Sequence, residues 1–505
     1  FAAVLSVLLI AGINVSGLLL IRGTARQSEM AVRLAIGATK LHLLQQMLTE
    51  TAVLAFAGCL LGVVLALWAI RLVNLYGPLP QPTPLLSWAL LCGPALALFS
   101  TLFAGLLPAW LSTRGDATRT FTRSGGWRSA IIAGQIALAV VLLFTAVELN
   151  QSFLNLTRVP PGFQPQHVWT GALQTPARSA NFFEPLLEEL AGIFGVQSAS
   201  GANAIPFNPS GIWTEPLQLP GRPKQTPPAE AQIGLAFPGY FEAMGIRLLR
   251  GRTFTSRDRT GALPVAVIDE ELARRYFQGE DPLGKAIASG GSETLATIIG
   301  VVGSVHNSDL GGPSEPEVYY PEFQEHTEAT YLVLRTTGDA DPTAAVRKAI
   351  ARLDPGVGLY DVQFMAARVS RSLELRRFLA FLLNGLAATG LLLAIVGLYG
   401  SLAHLVELRQ REIGIRIALG ATRARVLRLI LVRGGIVVGL GLLAGVCGAV
   451  TAGRAVKSQL FGVELTDATV WIAVLGVILI AGAISAYLPA WRAARIDPSV
   501  ALRHE

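Results

Sequence analysis

The chain has 505 residues, of which 52% are hydrophobic and only 15% charged, with a mean hydropathy of +0.50; ordinary soluble domains carry about 25% charged residues, so a wholly soluble globular protein is excluded. The formal charge of +7 does not point to nucleic acid, because it is partitioned: residues 150–376 hold 19 Lys and Arg against 24 Asp and Glu, a net of −5, and the other segments hold 22 against 10, a net of +12. A basic excess confined to loops between apolar runs is the pattern of a multi-pass membrane protein.

A helix needs about 20 mostly apolar residues to cross a bilayer. Seven stretches meet that length, at 1–21, 51–73, 87–111, 130–149, 378–402, 430–453 and 469–490. Phe1 is not a methionine and lies inside the first run. The sequence is therefore read as N-terminally truncated, without the first span and first soluble domain of its first unit.

The loop 22–50, with Arg22, Arg26, Arg33 and Lys40, is expected in the cytoplasm. Within it Glu29 precedes Arg33 by four residues, the favourable order for a helical ion pair worth about 0.2–0.5 kcal/mol, with Met30 and Leu34 on the opposite face. This spacing predicts an amphipathic helix lying at the inner membrane face. Gly37 then stops the helix, Ala38 completes the turn, and Thr39 caps the helix that follows.

In the second span Gly58 and Gly62 stand four apart, a spacing that lets two helices approach closely; packing within the bundle is the simplest use of it. The loop 74–87 has no charge and four prolines and reads as external. The loop 112–129, with Arg114, Arg119, Arg123 and Arg128, reads as cytoplasmic. Alternation then places the long segment 150–376 outside, in the periplasm of a bacterial inner membrane protein.

That segment mixes helix-like runs (Phe182 to Phe194, Asp269 to Phe277, Pro342 to Leu353) with strand-like runs (Val265 to Ile268, Thr297 to Val302, Tyr331 to Arg335), which predicts an α+β domain. Its length suits two subdomains, with the Pro- and Gly-rich stretch Pro206 to Pro228 as an excursion between them. The three cysteines, Cys59, Cys92 and Cys447, all fall in apolar runs, so the segment cannot depend on a disulfide. Gly279, Gly284 and Lys285 imitate a phosphate-binding loop, but Ala286 replaces its Ser or Thr and the run follows a helix, so nucleotide binding there is not expected. His167, His306 and His326 are too scattered to argue a metal.

Beyond the fifth span the chain repeats itself. Arg26-Gln27-Ser28-Glu29 leading to Arg33 and Gly37-Ala38-Thr39 returns 383 positions later as Arg409-Gln410-Arg411-Glu412 leading to Arg416 and Gly420-Ala421-Thr422. Gly58 and Gly62 return as Gly441 and Gly445 at the same shift, and Pro108-Ala109-Trp110 returns as Pro489-Ala490-Trp491. A polar block recurring with its apolar surroundings points to a duplicated membrane unit. Two matching footholds suit a partner that is itself two-fold symmetric. The expected division is 1–128 for the first copy, 129–149 for a single helix, 150–376 for the external domain and 377–505 for the second copy.

Glu412-Ile413-Gly414-Ile415-Arg416-Ile417-Ala418-Leu419-Gly420-Ala421 resembles the signature of the FtsX-like permease domain. Pro238-Gly239-Tyr240-Phe241-Glu242-Ala243-Met244-Gly245, Leu249-Arg250-Gly251-Arg252, Val267-Ile268-Asp269-Glu270 and Asp281-Pro282-Leu283-Gly284-Lys285 resemble the periplasmic core domain of MacB-type ABC transporter permeases. The resemblance implies a permease subunit that is not itself an enzyme and binds no cofactor. A cytoplasmic ABC ATPase dimer would spend the ATP, dock on Glu29, Arg33, Gly37, Ala38, Thr39 and on Glu412, Arg416, Gly420, Ala421, Thr422, and drive the external domain, with a periplasmic or outer-membrane partner beyond it. The first copy departs from the pattern, with Met30-Ala31-Val32 in place of Ile413-Gly414-Ile415. A transmembrane scaffold that regulates a periplasmic partner such as a cell-wall hydrolase uses the same bundle and stays open at this point. Ion-coupled transport would need ionisable residues within the spans, which offer mainly Asn14, Gln135 and Asn384, with Glu148 near an end.

Overall fold

A computed structural model describes residues 2–25, 36, 39–76, 126–174, 180–208, 212–220, 228–290, 294–324, 329–338, 340–408, 415, 422–457, 460–464 and 466–493. The chain divides into two units, Phe1–Asn155 with Arg376–Glu505, and Leu156–Leu375.

The first unit is helical: α1 (Ala2–Ala25), α2 (Lys40–Tyr76), α3 (Gly126–Thr157), α9 (Glu374–Leu408), α10 (Arg423–Val456) and α11 (Ala468–Ala493). Among the described residues four helical stretches are long and apolar enough to cross a membrane, Ser129–Thr157, Glu374–His404, Arg428–Val456 and Ala468–Arg492; Ala2–Val15 and Ala55–Trp68 are shorter apolar helices. The expected span 87–111 lies outside the described residues. The core is a row one turn apart on α3, Ile132, Ile136, Val140 and Phe144, packed with Leu398 and Leu402 of α9, Val437 and Val438 of α10, and Val470, Val474 and Ile478 of α11. Phe381, Leu443, Ile472 and Ile480 point outward and are exposed. Helices apolar all round belong in lipid, because water would not tolerate that outer face.

The second unit is the α+β domain, with β1 (Val168–Gln174), α4 (Ala180–Ala191), β2 (Val196–Ala202), β3 (Trp213–Gln218), β4 (Glu230–Ala236), α5 (Tyr240–Met244), β5 (Leu248–Gly251), β6 (Val265–Asp269), α6 (Glu270–Tyr276), β7 (Ala286–Ser289), β8 (Ala296–Val302), β9 (Glu317–Pro321), β10 (Ala329–Thr336), α7 (Thr343–Leu353), β11 (Gly358–Phe364) and α8 (Met365–Ser372). Strands β11, β1, β10 and β2 form an antiparallel sheet. One face packs Trp169, Leu332 and Leu334 against Leu186 and Leu190 of α4 and Val346 and Ile350 of α7. The indole N–H of Trp169 donates to Thr343 Oγ1 at 3.0 Å, so this buried ring keeps its polar edge satisfied.

A single pair, Ala202 to Ala236, links that sheet to β4. From there β4, β3, β7, β8, β6 and β9 follow in order, and β9 returns to β4 in parallel, with Ile233 opposite Val318. The strands thus close into a barrel. Every one of them contributes to a single apolar cluster, through Leu217, Ile233, Ile268, Ile287, Ile298 and Val318 among others, and strands on opposite walls can share contacts only through the barrel interior. Closure disposes of strand edges that would otherwise stand open. The stretch Pro206 to Pro228 is therefore not merely an excursion: it contains β3, a barrel stave.

Candidate functional site

Of the two repeated elbows, Glu29, Arg33, Gly37 and Ala38 in the first, and Glu412, Arg416, Gly420 and Ala421 in the second, lie outside the described residues. The residues that open the following helices are described, and they differ. Thr39 is exposed and its Oγ1 accepts the backbone N–H of His42 at 3.3 Å, an N-cap for α2. Thr422 has an extended backbone before α10 but makes no side-chain cap, contrary to expectation; its carbonyl accepts Arg425 N at 2.9 Å instead.

The glycine pairs also differ. A Cβ on Gly441 would stand 2.7 Å from Ile136 Cβ and 2.9 Å from the Ala133 carbonyl oxygen, and one on Gly445 would stand 2.7 Å from Val140 Cβ. These glycines are the slot into which α3 fits. At Gly58 and Gly62 no described atom lies within 4 Å of that position.

Polar side chains tie α3 to its neighbours. Gln135 Nε2 donates to Asn14 Oδ1 at 3.2 Å, and Asn14 Nδ2 to the Leu393 carbonyl at 2.7 Å. Further along α3, Asn150 Nδ2 donates to Asn384 Oδ1 at 2.8 Å, Gln151 Nε2 to Asp467 at 2.9 Å, and Asn155 Nδ2 to the Gly462 carbonyl at 2.7 Å. Such bonds fix helix register where the surroundings offer few competing partners. Glu148, expected near the end of a span, is 1% exposed, and neither carboxyl oxygen has a hydrogen-bond partner among the described residues.

In the α+β domain the phosphate-loop lookalike leads from α6 into β7, so no helix N-terminus faces it. Lys285 is paired with Glu280 and sits over the Phe277 ring, 5.6 Å from its centroid. Among the described residues no three His, Cys, Asp or Glu gather in a way that could hold a metal; His326 lies outside them.

A buried acidic pair, which composition could not single out, lies on the outer wall of the barrel. Asp269 caps α6 through Leu272 N at 2.8 Å and also accepts Glu317 N at 3.0 Å and Ser304 Oγ at 2.6 Å. Glu317 accepts Tyr319 OH at 2.7 Å and Asn307 Nδ2 at 2.9 Å. Burial pushes Asp269 up to about 6 against the pull of those bonds. Burial pushes Glu317 up to about 7, with the Tyr319 and Asn307 bonds opposing and the Asp269 charge adding to the rise.

Both groups start from ordinary values, 3.8 and 4.5, in the unfolded chain. The folded state holds the extra protons in between, so their stabilisation is complete below about pH 4 and is lost as pH rises through 6 and 7. Asp258 acts in the opposite sense and only at lower pH: burial raises it, but the Arg252 and Thr255 bonds outweigh burial and hold it below its usual value. The thermal midpoint of the domain in the full chain is expected to fall between about pH 5 and 7.5, and Glu317→Gln, which keeps an acceptor, should flatten the slope. Scanning fluorimetry across that range checks this; a midpoint that climbs with pH would contradict the assignment.

The domain and the helices around it both match known families. The MacB-like periplasmic core domain matches residues 129–353, and the FtsX-like permease C-terminal family matches residues 1–117 and 384–498. The chain is a MacB/FtsX-like ABC transporter permease. It is similar to the pyoverdine export ATP-binding/permease protein PvdT of Pseudomonas syringae pv. tomato, 29% identical over 50% of this chain and 40% of that protein. It is also similar to the macrolide export ATP-binding/permease protein MacB of Marinobacter nauticus, 28% identical over 51% of this chain and 41% of that one. The uncharacterized ABC transporter permease YknZ of Bacillus subtilis is 28% identical over 53% of this chain and 68% of its own length. The solved periplasmic region of MacB from Actinobacillus actinomycetemcomitans aligns with 44% of this chain and 98% of its own at 16% identity and a TM-score of 0.31.

This MacB/FtsX-like permease spans about two fifths of the length of the two exporters named. Neither family that it matches is an ATPase. It is a multi-pass membrane protein whose α+β domain belongs outside the cytoplasm.

Proposed function

We propose that this chain is the permease subunit of an export or mechanotransmission complex in the bacterial inner membrane. A partner ATPase dimer in the cytoplasm hydrolyses ATP, and the helices pass its stroke to the domain at 150–376. Seven spans are arranged as two copies of one unit, so that a single chain presents both footholds that single-copy relatives would assemble from two subunits. The two elbows, at Glu29 to Thr39 and Glu412 to Thr422, are the docking points.

The observation that carries this reading is the return of one charged sequence block at a shift of 383 residues within segments matched by the FtsX-like family. Two matching sites on one chain suit a motor that is itself two-fold symmetric. Relatives named for the export of pyoverdine and of macrolides favour moving a cargo over scaffolding alone.

Affinity purification of the full-length protein in mild detergent, followed by identification of what accompanies it, tests the reading. A stoichiometric ABC ATPase is the expected result. A cell-wall hydrolase in its place would replace the exporter with a regulatory scaffold.

A further inference from the structure

The helix that leaves the α+β domain is held by one buried cation. Arg368 on α8 is 5% exposed, rare for an arginine unless its charge is fully partnered. Its Nη2 donates to both the side chain and the carbonyl oxygen of Asp361 on β11, each at 2.8 Å. Its Nε donates to Thr170 Oγ1 of β1 at 3.2 Å, and the guanidinium lies over the Tyr331 ring of β10, 5.8 Å from the centroid. Three adjacent strands therefore converge on one side chain.

The far side of the clamp is braced as well. Asn208 Nδ2 reaches Asp361 Oδ2 at 3.1 Å and the Tyr331 hydroxyl at 2.5 Å, and Gln363 Nε2 donates to Asp361 Oδ1 at 3.1 Å. Asp361 has a φ of 47°, a left-handed backbone that a non-glycine residue adopts at a cost. The remaining anchors of α8 are apolar, Met365 and Val369. Ser372 ends α8 and Glu374 begins α9, which is long and apolar enough to span a membrane.

We propose that Arg368 is a positioning residue for coupling, the clamp through which displacement of α9 is delivered to the sheet. This deepens the reading given under Proposed function and takes its biological sense from it, but its measurement needs no ATPase, so the two fail separately. A purely apolar contact would let α8 slide, whereas a forked, directional set of bonds on three strands resists displacement until it breaks as a unit.

The test is optical-tweezers pulling on the full chain in lipid nanodiscs, in a background without Cys59, Cys92 and Cys447. Handles are attached through Phe194→Cys and Leu375→Cys, at positions 104% and 54% exposed. The wild type is expected to release α8 in one step of about 2 nm, given roughly 3.4 Å per extended residue less the roughly 1.5 Å per residue it already spans as helix. Arg368→Met, which keeps the apolar stem, and Asp361→Gly, which removes the carboxylate while relaxing the backbone, should release at no more than about half the wild-type force, with Arg368→Lys between. The thermal midpoint of the Arg368→Met domain should stay near the wild-type value, because Asp361 is partly exposed and keeps Asn208 and Gln363, whereas Asp361→Gly takes the carboxylate from a buried cation and should lower it. Release of both variants at the wild-type force, or a midpoint that falls in step with the force in both, would overturn the proposal.

Discussion

Gly441→Leu and Gly445→Leu are expected to leave almost no monodisperse protein after solubilisation, while Gly58→Leu and Gly62→Leu express at wild-type levels. The asymmetry comes from the space that each side chain would enter among the described residues. At Gly441 even the first added carbon would stand 2.7 Å from Ile136 Cβ, and at Gly445 the same distance from Val140 Cβ; both obstacles are the branched roots of side chains fixed on α3. Neither can swing away. Overpacking of this kind costs about 1–3 kcal/mol for a few extra carbons and more where a helix must move, which outweighs the roughly 1 kcal/mol gained by removing glycine from a helix. Gly445→Ala should already show a measurable loss. Fluorescence-detected size-exclusion chromatography reads all five variants, and equal profiles for Gly441→Leu and Gly58→Leu would contradict the packing.

Charge reversal at Glu412 and Arg416 is expected to abolish binding and stimulation of the partner ATPase while the permease itself remains folded. Exchanging the two charges keeps opposite signs four residues apart in the sequence, a spacing worth only a few tenths of a kcal/mol in any helix, so little stability is at stake. On the proposed docking, each charge would then meet its like on the ATPase. Breaking a desolvated pair at an interface costs about 2–5 kcal/mol, roughly a thirtyfold to several-thousandfold loss of affinity. The same exchange at Glu29 and Arg33 separates two designs. If both elbows grip the motor, either exchange alone removes most stimulation; if only the second does, the first-copy variant behaves as wild type. Undiminished association of the Glu412/Arg416 variant in a pull-down would remove the elbow from the docking surface.

The features legible in the sequence are those written in local pattern. The apolar runs at 130–149, 378–402, 430–453 and 469–490 fall within the four described helices long enough to span a membrane, because length and composition alone decide that property. Val265 to Ile268 appears as β6 extended by Asp269, and the helix-like run starting there is α6, with Asp269 as its cap. The run Pro342 to Leu353 is α7 with Pro342 at its N-cap.

Contacts set by the tertiary fold were not legible. Nothing near Ile233 announces that its neighbour is Val318, since a parallel pairing across so much chain has no turn to mark it. The Pro-rich stretch concealed β3 because Pro216 argues against a strand; the fold accommodates it where β4 and β7 pair with successive parts of the strand. Nothing in the sequence sets Arg368 apart from the other basic residues of its segment, and Glu148 reads as a residue near the end of a span. Burial decides what each of them is, and burial is a property of the whole fold.

The return of β9 to β4 sets a timetable for biogenesis. As the nascent chain emerges, β4 and β6 are complete before residues 317–321 exist, and until these arrive the edges of both strands offer bare backbone donors and acceptors to any neighbour. A chain stalled or clipped between Val302 and Glu317 would keep five staves and lack the sixth, leaving it adhesive rather than merely incomplete. The barrel is thus sealed by the arrival of five residues that turn an open ribbon into a closed ring.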